Sequence, residues 1–362
     1  MQDIEILGNK QKGLEFIKQT EQKKFIFTLV ISYTATSEIP GITMAGEHPD
    51  LIKFTGPADA EFIHYGYCKS ISVIPMTPDG KPTPALLTKT ALEAASIPNV
   101  IINAGSKISP KLPFIDMDLD YGKNIGQEPA LSLDEVGKAV EYGRIIGRFL
   151  GASTDCVIIG ESIPGGTTTA LGVLEGFGIT GFVSSSMPQN PVGLKVQTVK
   201  EALKRLQSKD PFEIISQLGD PMIPTIAGIL STASEISKVL LAGGTQMAAV
   251  LAFAKSMGFE GKNTAIGTTS YVVEDKSANL TDIIMQIMDI PILVAKLKLA
   301  ESEISGLSSY AEGFVKEGAG AGGCSIASFL NSDNLTKEQF LHELEENYIK
   351  TIEGPSLVFT NK

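Results

Sequence analysis

Cys156-Val-Ile-Ile-Gly-Glu-Ser-Ile-Pro-Gly-Gly-Thr-Thr-Thr-Ala170 is the stretch from which the fold is read. Residues 157–159 are apolar and β-branched, the mark of a short buried strand, and Gly160 reads as its stop. Pro164, Gly165 and Gly166 form a turn that needs freedom in φ and lets the backbone come close to another group. Thr167, Thr168 and Thr169 can cap a helix over 170–174. A strand, a glycine turn and a helix start together offer free N–H groups to an anion. We read a phosphate as bound by these groups. Glu161 sits beside them at the strand's carboxyl end, where open α/β sheets keep their ligands. The competing reading is a tight β–α turn without a ligand. No lysine follows Gly166, so the loop is not a Walker A motif, which argues against a nucleoside-triphosphate hydrolase.

Working outward, strand-like and helix-like runs alternate. Residues 25–32, 70–74, 100–103, 179–184, 239–242, 265–272 and 291–293 read as strands or apolar segments. Residues 13–20, 59–65, 88–95, 132–150, 199–206, 224–237, 246–257, 305–316 and 336–349 read as helices. Ser132 with Glu135, and Thr336 with Gln339, are capping boxes. Such alternation predicts a Rossmann-like parallel sheet with helices on both faces. The chain ends, helical by pattern, are expected to form a small helical lobe. That gives a large α/β nucleotide-binding domain over 25–300 and a small helical domain from 1–24 with 301–362. Val239-Leu-Leu-Ala-Gly-Gly-Thr245 repeats the strand–glycine–helix arrangement. The turn at 76–80 closes the region after residue 74.

Composition narrows the partners. The 362 residues carry a formal charge of −11 with 43% apolar residues. An acidic chain disfavours nucleic acid or an anionic membrane as its main partner. The three cysteines, Cys68, Cys156 and Cys324, are far apart, which fits a reducing compartment and no disulfide framework. The start at Met1 lacks a basic segment followed by an apolar core, so no secretory signal is expected. No apolar run reaches the roughly 20 residues of a membrane span. A cytoplasmic protein is expected. His48, His64 and His342 form no zinc pattern. Asp116, Asp118 and Asp120 alternate with apolar residues and fit either a metal loop or a half-exposed strand. Tyr121 at the sixth position argues against calcium. We expect no metal and no cofactor.

A second glycine-rich run, Lys316-Glu-Gly-Ala-Gly-Ala-Gly-Gly323, spells G-x-G-x-x-G but follows a helix-like segment, so it is not a dinucleotide fingerprint. Its interest is Glu317, a carboxylate that Gly318 and Gly320 leave unobstructed towards a ligand. Gly160-Glu161 with its turn, Asp210-Pro-Phe-Glu-Ile-Ile-Ser-Gln-Leu-Gly219, the 239–245 stretch and Glu317-Gly-Ala-Gly320 stand in one order, with Asn103-Ala-Gly105 and residues 129–135 fitting the same pattern. Over roughly residues 30–330 this resembles the nicotinate-nucleotide:dimethylbenzimidazole phosphoribosyltransferase family of cobalamin biosynthesis, in its divergent archaeal and cyanobacterial branch. The resemblance implies transfer of the phosphoribosyl group of nicotinate mononucleotide to an aromatic base such as a benzimidazole, in a homodimer. It places the general base at Glu317, the phosphate loop at 162–168 (Ser162, Gly165, Gly166, Thr167 and Thr168), a phosphate-contacting lysine at Lys195 and a ribose-side acid at Glu161. The family's segments at 37–41, 184–190 and 268–274 are replaced here, so the donor half of the site is expected to be retained and the acceptor half rebuilt. The alternative is a non-catalytic nucleotide-monophosphate binder or regulator on the same fold.

Overall fold

Apolar runs buried on two faces need a sheet with helices on both sides, and the computed structural model has that architecture. It describes residues 3–45, 48–77, 80–332 and 335–353. The eight strands are β1 (Ile4–Gly8), β2 (Phe25–Ile31), β3 (Asn99–Asn103), β4 (Ile115–Asp116), β5 (Cys156–Ser162), β6 (Lys238–Ala242), β7 (Thr264–Thr269) and β8 (Pro291–Ala295). They form one sheet in the order β1-β8-β7-β6-β5-β2-β3-β4. All neighbours are parallel except β1, which runs antiparallel to β8.

The helices are α1 (Lys10–Thr20), α2 (Thr55–Tyr65), α3 (Ala85–Ala94), α4 (Leu133–Ser153), α5 (Gly166–Gly176), α6 (Val192–Leu203), α7 (Pro211–Leu218), α8 (Met222–Ile236), α9 (Thr245–Ser256), α10 (Ser270–Val273), α11 (Leu280–Ile287), α12 (Ser305–Ser308), α13 (Ala321–Asn331) and α14 (Lys337–Tyr348). Successive strand residues point to opposite faces. Val157, Ile159, Val239 and Leu241 pack under α4, α5, α8 and α9. Phe27, Leu29, Ile158 and Leu240 pack under α1, α2, α3 and α13. Helices α12 and α14, with the 3-10 turns Leu299–Glu301 and Ser309–Glu312, make a small helical cap beside α3. Both capping boxes are formed.

Strand β2 has β3 on one side and β5 on the other. The chain leaves β2 towards β3 and β4, then returns to β5. This reversal is a topological switch point, and it opens a crevice beyond the carboxyl ends of β2 and β5.

Several sequence expectations are corrected. Gly160 does not stop β5, which continues through Glu161 to Ser162. The glycine is there because the Phe27 ring and the Gly320 backbone would lie 2.8 and 2.9 Å from a Cβ. Gly165, at φ 75°, caps α5, so the threonines lie inside its first turn. Residues 70–74 are not a strand. The Lys69 and Ser70 N–H groups donate to the buried Glu61 carboxylate (2.6 and 2.7 Å) instead of a ladder. Residues 179–184 are not a strand either: Phe182 N–H donates to Asn279 Oδ1, and Asn190 and Lys195 side chains take the Val183 and Ser184 carbonyls. Helix α6 begins before Lys195 and ends at Leu203. The 305–316 segment is helical only to Glu312. The acid-bearing strand stops at Asp116, and Asp118 turns to φ 50° and pairs with Lys138. The N-terminal segment, read as helical, opens with β1. Pro78 and Asp79 of the turn at 76–80, Met1, and residues 354–362 lie outside the described residues.

Candidate active site

The crevice at the switch point is a cleft. Its walls come from the end of β5, the starts of α5 and α9, helix α2, residues of the segments 42–45, 71–77 and 184–186, and Val315 with residues 317–319. Glu161, Ser162, Gly165, Gly166, Thr167, Glu317 and Gly318 all line it. The two glycine-bearing bends therefore meet, and they touch: Ala319 N–H donates to the Glu161 carbonyl at 2.9 Å.

Glycines make this approach possible. A Cβ on Gly323 would lie 2.3 Å from the Ala242 Cβ, and one on Gly322 2.3 Å from the Thr268 carbonyl carbon. Gly320 opens α13 with φ 80°. Small residues thus seat the start of α13 directly on the ends of β5, β6 and β7.

Glu317 projects from that junction. Its Oε1 accepts from Gly322 N–H (3.0 Å) and Gly318 N–H (3.2 Å), and its Oε2 accepts from Thr269 N–H (3.0 Å). The residue keeps a partly exposed side towards the cleft while its carboxylate is enclosed by protein. Burial raises its pKa to about 7, against the three N–H bonds, which favour the ionised form. Such a carboxylate can accept a proton near neutrality. Before it, Val315 and Lys316 stand at φ 62° and 59°. Positive φ in a β-branched residue is costly and persists only where the surroundings hold it.

Glu161 is buried, 3% exposed. Burial first, then the charges of Asp220 and Glu317, push its pKa up to about 8. It is therefore mostly protonated at neutral pH, able to donate a hydrogen bond. Asp59 and Asp220 are buried beside it, each raised to about 6 by burial. Asp59 accepts from Ser162 Oγ and Thr83 Oγ1, both at 2.6 Å. Asp220 accepts from Thr169 Oγ1 and from the first N–H groups of α8.

The phosphate-loop residues divide. In the loop Gly166 N–H and Thr168 N–H donate to the Ile163 and Gly165 carbonyls (3.4 and 3.0 Å). Thr168 is fully buried and is not among the cleft-lining residues, whereas Thr167 is. Lys195 is also elsewhere. Its Nζ donates to Ser184 O (2.7 Å) and Asn190 Oδ1 (3.0 Å), behind the 184–186 wall. Burial, with Lys316 nearby, pulls its pKa down to about 7. Gly320 seats the helix and does not line the cleft.

Sequence reasoning missed Asp59, Asp220 and the Gly244-Thr245-Gln246 start of α9, which lines the cleft opposite α5. The signal for α9 was its likeness to the first glycine turn. An acid within the small, apolar run Gly56-Pro-Ala-Asp-Ala60 was the signal for Asp59. No lysine, arginine or histidine is among the described residues lining the cleft. Among the described residues no cluster of His, Cys, Asp and Glu could hold a metal, and no helix is long and apolar enough to cross a membrane.

Comparison with known proteins gives this arrangement its family. A family model described as phosphoribosyltransferase matches residues 92–299. The UPF0284 protein of Archaeoglobus fulgidus is 45% identical over 326 residues, 90% of this chain and 94% of that one. A UPF0284 protein of Saccharolobus solfataricus is 40% identical over 341 residues, 93% and 96% of the two chains. Among solved structures, CobT from Thermus thermophilus aligns with a TM-score of 0.60 at 16% identity, covering 92% of this chain and 90% of that one. A nicotinate-nucleotide-dimethylbenzimidazole phosphoribosyltransferase structure from the same organism gives 0.59 at 15%, covering 96% and 94%. At these identities the structural likeness is one of fold. The chain belongs to the phosphoribosyltransferase family, together with the archaeal UPF0284 proteins.

Proposed function

We propose that the enzyme transfers the phosphoribosyl group of nicotinate mononucleotide to a ring nitrogen of an aromatic base such as a benzimidazole, with Glu317 as general base. The observation that carries this reading is the cleft itself: a carboxylate tuned to near neutrality by burial faces, across one crevice, the helix start at Gly165 and Gly166.

In the proposed reaction the C1–N bond of the donor breaks, and its electron pair neutralises the pyridinium nitrogen as nicotinate leaves. A lone pair on one ring nitrogen of the acceptor forms the new bond to C1 from the opposite face. The proton on the acceptor's other ring nitrogen passes to Glu317. The leaving group departs with its ring uncharged, so the step asks for no metal. The donor's phosphate is held by neutral groups: N–H groups and hydroxyls at the starts of α5 and α9, each carrying the partial positive charge of a helix N-terminus. Protonated Glu161 donates to the ribose side. Lys195 does not reach the phosphate in this reading; it supports the 184–186 wall on the rebuilt side of the cleft. Residues 42–45, 51, 54 and 71–77 offer the acceptor an apolar surface. A cytoplasmic homodimer belongs to the same reading, on the resemblance alone.

The test is release of nicotinate from nicotinate mononucleotide in the presence of benzimidazoles, purines and phenols. Release should depend on the added base, survive a chelator, and fall by about 10²- to 10⁴-fold in Glu317→Gln. Binding of the nucleotide with transfer to no member of the panel would refute the enzyme reading in favour of a non-catalytic binder.

A further inference from the structure

We propose that Asp275 and Lys316 form a buried clasp that positions Glu317, by holding the left-handed backbone at residues 315–316 against the 184–190 loop. The inference rests on the general-base reading of Glu317 and adds to it two positioning residues.

Lys316 Nζ and Asp275 Oδ2 lie 3.0 Å apart, with side chains only 4% and 9% exposed. The pair's other contacts hold two loops against the bend and fix the Asp275 carboxylate within its own loop. Lys316 Nζ also donates to Met187 O (3.3 Å), and Ser184 Oγ donates to Asp275 Oδ2 (3.1 Å). The other carboxylate oxygen accepts from Ser277 N–H (2.9 Å) and Ser277 Oγ (2.7 Å). Val315 N–H donates to Ser186 O (2.8 Å), and Thr269 Oγ1 donates to Lys316 O (2.6 Å). Lys195, behind the same loop, holds Ser184 O.

The geometry explains why a clasp is needed. Two consecutive residues with side chains at positive φ store strain, and the backbone bonds within the bend are the tight ones from Lys316 N–H to Phe314 O (2.6 Å) and from Glu317 N–H to Val315 O (2.7 Å). If they relaxed, the chain would carry Glu317 away from the Thr269, Gly318 and Gly322 N–H groups. A buried ion pair is a weak source of net stability, but removing one partner leaves an uncompensated charge and is strongly felt. Specification of one backbone geometry is what such a pair can supply. It joins the 184–190 segment to Asp275, the residue that follows the 268–274 segment, and both segments are ones in which the sequence departs from the family pattern, so the clasp belongs to the rebuilt half of the site.

The test follows the Glu317 carboxyl directly, by ¹³C NMR of protein labelled at the glutamate side-chain carboxyl carbon, with Glu317→Gln assigning the resonance. Glu161 from β5, Tyr310 from the Ser309–Glu312 turn and Cys324 from α13 face Glu317, and Asp59 from α2 stands close by. These groups are untouched by the substitutions. In Asp275→Asn and Lys316→Met the loss of stabilising N–H bonds should move the Glu317 midpoint upward by about one pH unit. Lys316→Arg, which keeps the charge and the reach, should restore it. The acid limb of kcat for nicotinate release should move with it, lowering kcat at pH 7 about fivefold, with little change in KM for nicotinate mononucleotide. An unchanged Glu317 midpoint in both variants overturns the clasp. If wild type releases no nicotinate with any base, the function fails while the NMR midpoint still decides the clasp.

Discussion

Glu161→Gln is the substitution that isolates the electrostatics of the cleft. An ordinary glutamate titrates near 4.5, and burial with two acidic neighbours raises Glu161 to about 8. The native chain therefore holds this proton over a window in which the unfolded chain has released it. Folding takes up a proton there, so stability is fully present below about pH 4.5 and falls as pH rises through about 8. A shift of about 3.5 units corresponds to about 5 kcal/mol once both forms are ionised. Glutamine has nearly the same shape, keeps an oxygen for the Ile163 N–H and cannot ionise. Its own packing cost is the same at every pH, so the difference between variant and wild type isolates the titration. That difference should shift in the variant's favour by about 4 kcal/mol between pH 5 and pH 9. Removing the charge also relieves Glu317, which adds in the same direction. The chain has no tryptophan, so urea unfolding followed by far-UV circular dichroism at pH 5, 7 and 9 is the assay. Parallel pH profiles for the two proteins would refute a buried, proton-binding Glu161, and with it the hydrogen-bond donor invoked at the ribose.

The acid limb of kcat should fall near pH 7, rising with pH because the base works ionised, and should vanish in Glu317→Gln; a limb near 4.5 would mean an exposed carboxylate. Gly165→Ala should weaken nicotinate mononucleotide binding by at least tenfold. Its φ is 75°, and a Cβ would lie 2.9 Å from the Ser37 Cα, so strain of about 1–2 kcal/mol and a clash both displace the start of α5; calorimetric titration showing unchanged affinity would remove the loop from the site. Gly147→Ala should destabilise by about 1–3 kcal/mol or more without touching the cleft, since a Cβ there would sit 2.3 Å from the Ile229 carbonyl oxygen where α4 crosses α8; thermal unfolding with activity measured well below the midpoint checks both halves.

The sheet was legible because its parallel strands are covered on both faces and read as apolar runs: Phe25–Ile31, Cys156–Ser162 and Lys238–Ala242 are visible without a partner. Strand β1 was not. Ile4–Gly8 is short, half-exposed, and has meaning only through its antiparallel register with Pro291–Ala295 at the far end of the chain. The two false strands fail for the opposite reason. Residues 70–74 and 179–184 have the right composition, but Glu61, Asn279, Asn190 and Lys195 intercept their backbone groups, and hydrophobic pattern carries no information about such side chains. Glu161 and Glu317 could be found because glycines crowd around them. Asp59 was read only as the first residue of the 59–65 helix, and Asp220 sits in a Gly-Asp-Pro run; neither setting marks a buried carboxyl. The Asp275–Lys316 pair joins loops that no spacing rule relates.

These same acids bear on how the proposed chemistry would be driven. Four carboxyl groups, Asp59, Glu161, Asp220 and Glu317, lie in or beside the cleft with no cation among its described lining residues. Such a cleft repels an anion unless dipoles hold it, which puts the burden of the phosphate on the starts of α5 and α9. It attracts a cationic ring. In the proposed reaction positive charge would move from the pyridinium towards C1 as the donor's C1–N bond lengthens, then into the acceptor ring, and would leave as the proton that Glu317 accepts. At neutral pH Asp59 and Asp220 are mostly ionised and Glu317 partly so, while Glu161 keeps its proton; the ionised members would stabilise the charge where it develops without having to reorganise. Once nicotinate is neutral in its ring and anionic at its carboxylate, the same field would expel it. One set of buried acids would thus favour binding of the donor, migration of its charge and departure of the product.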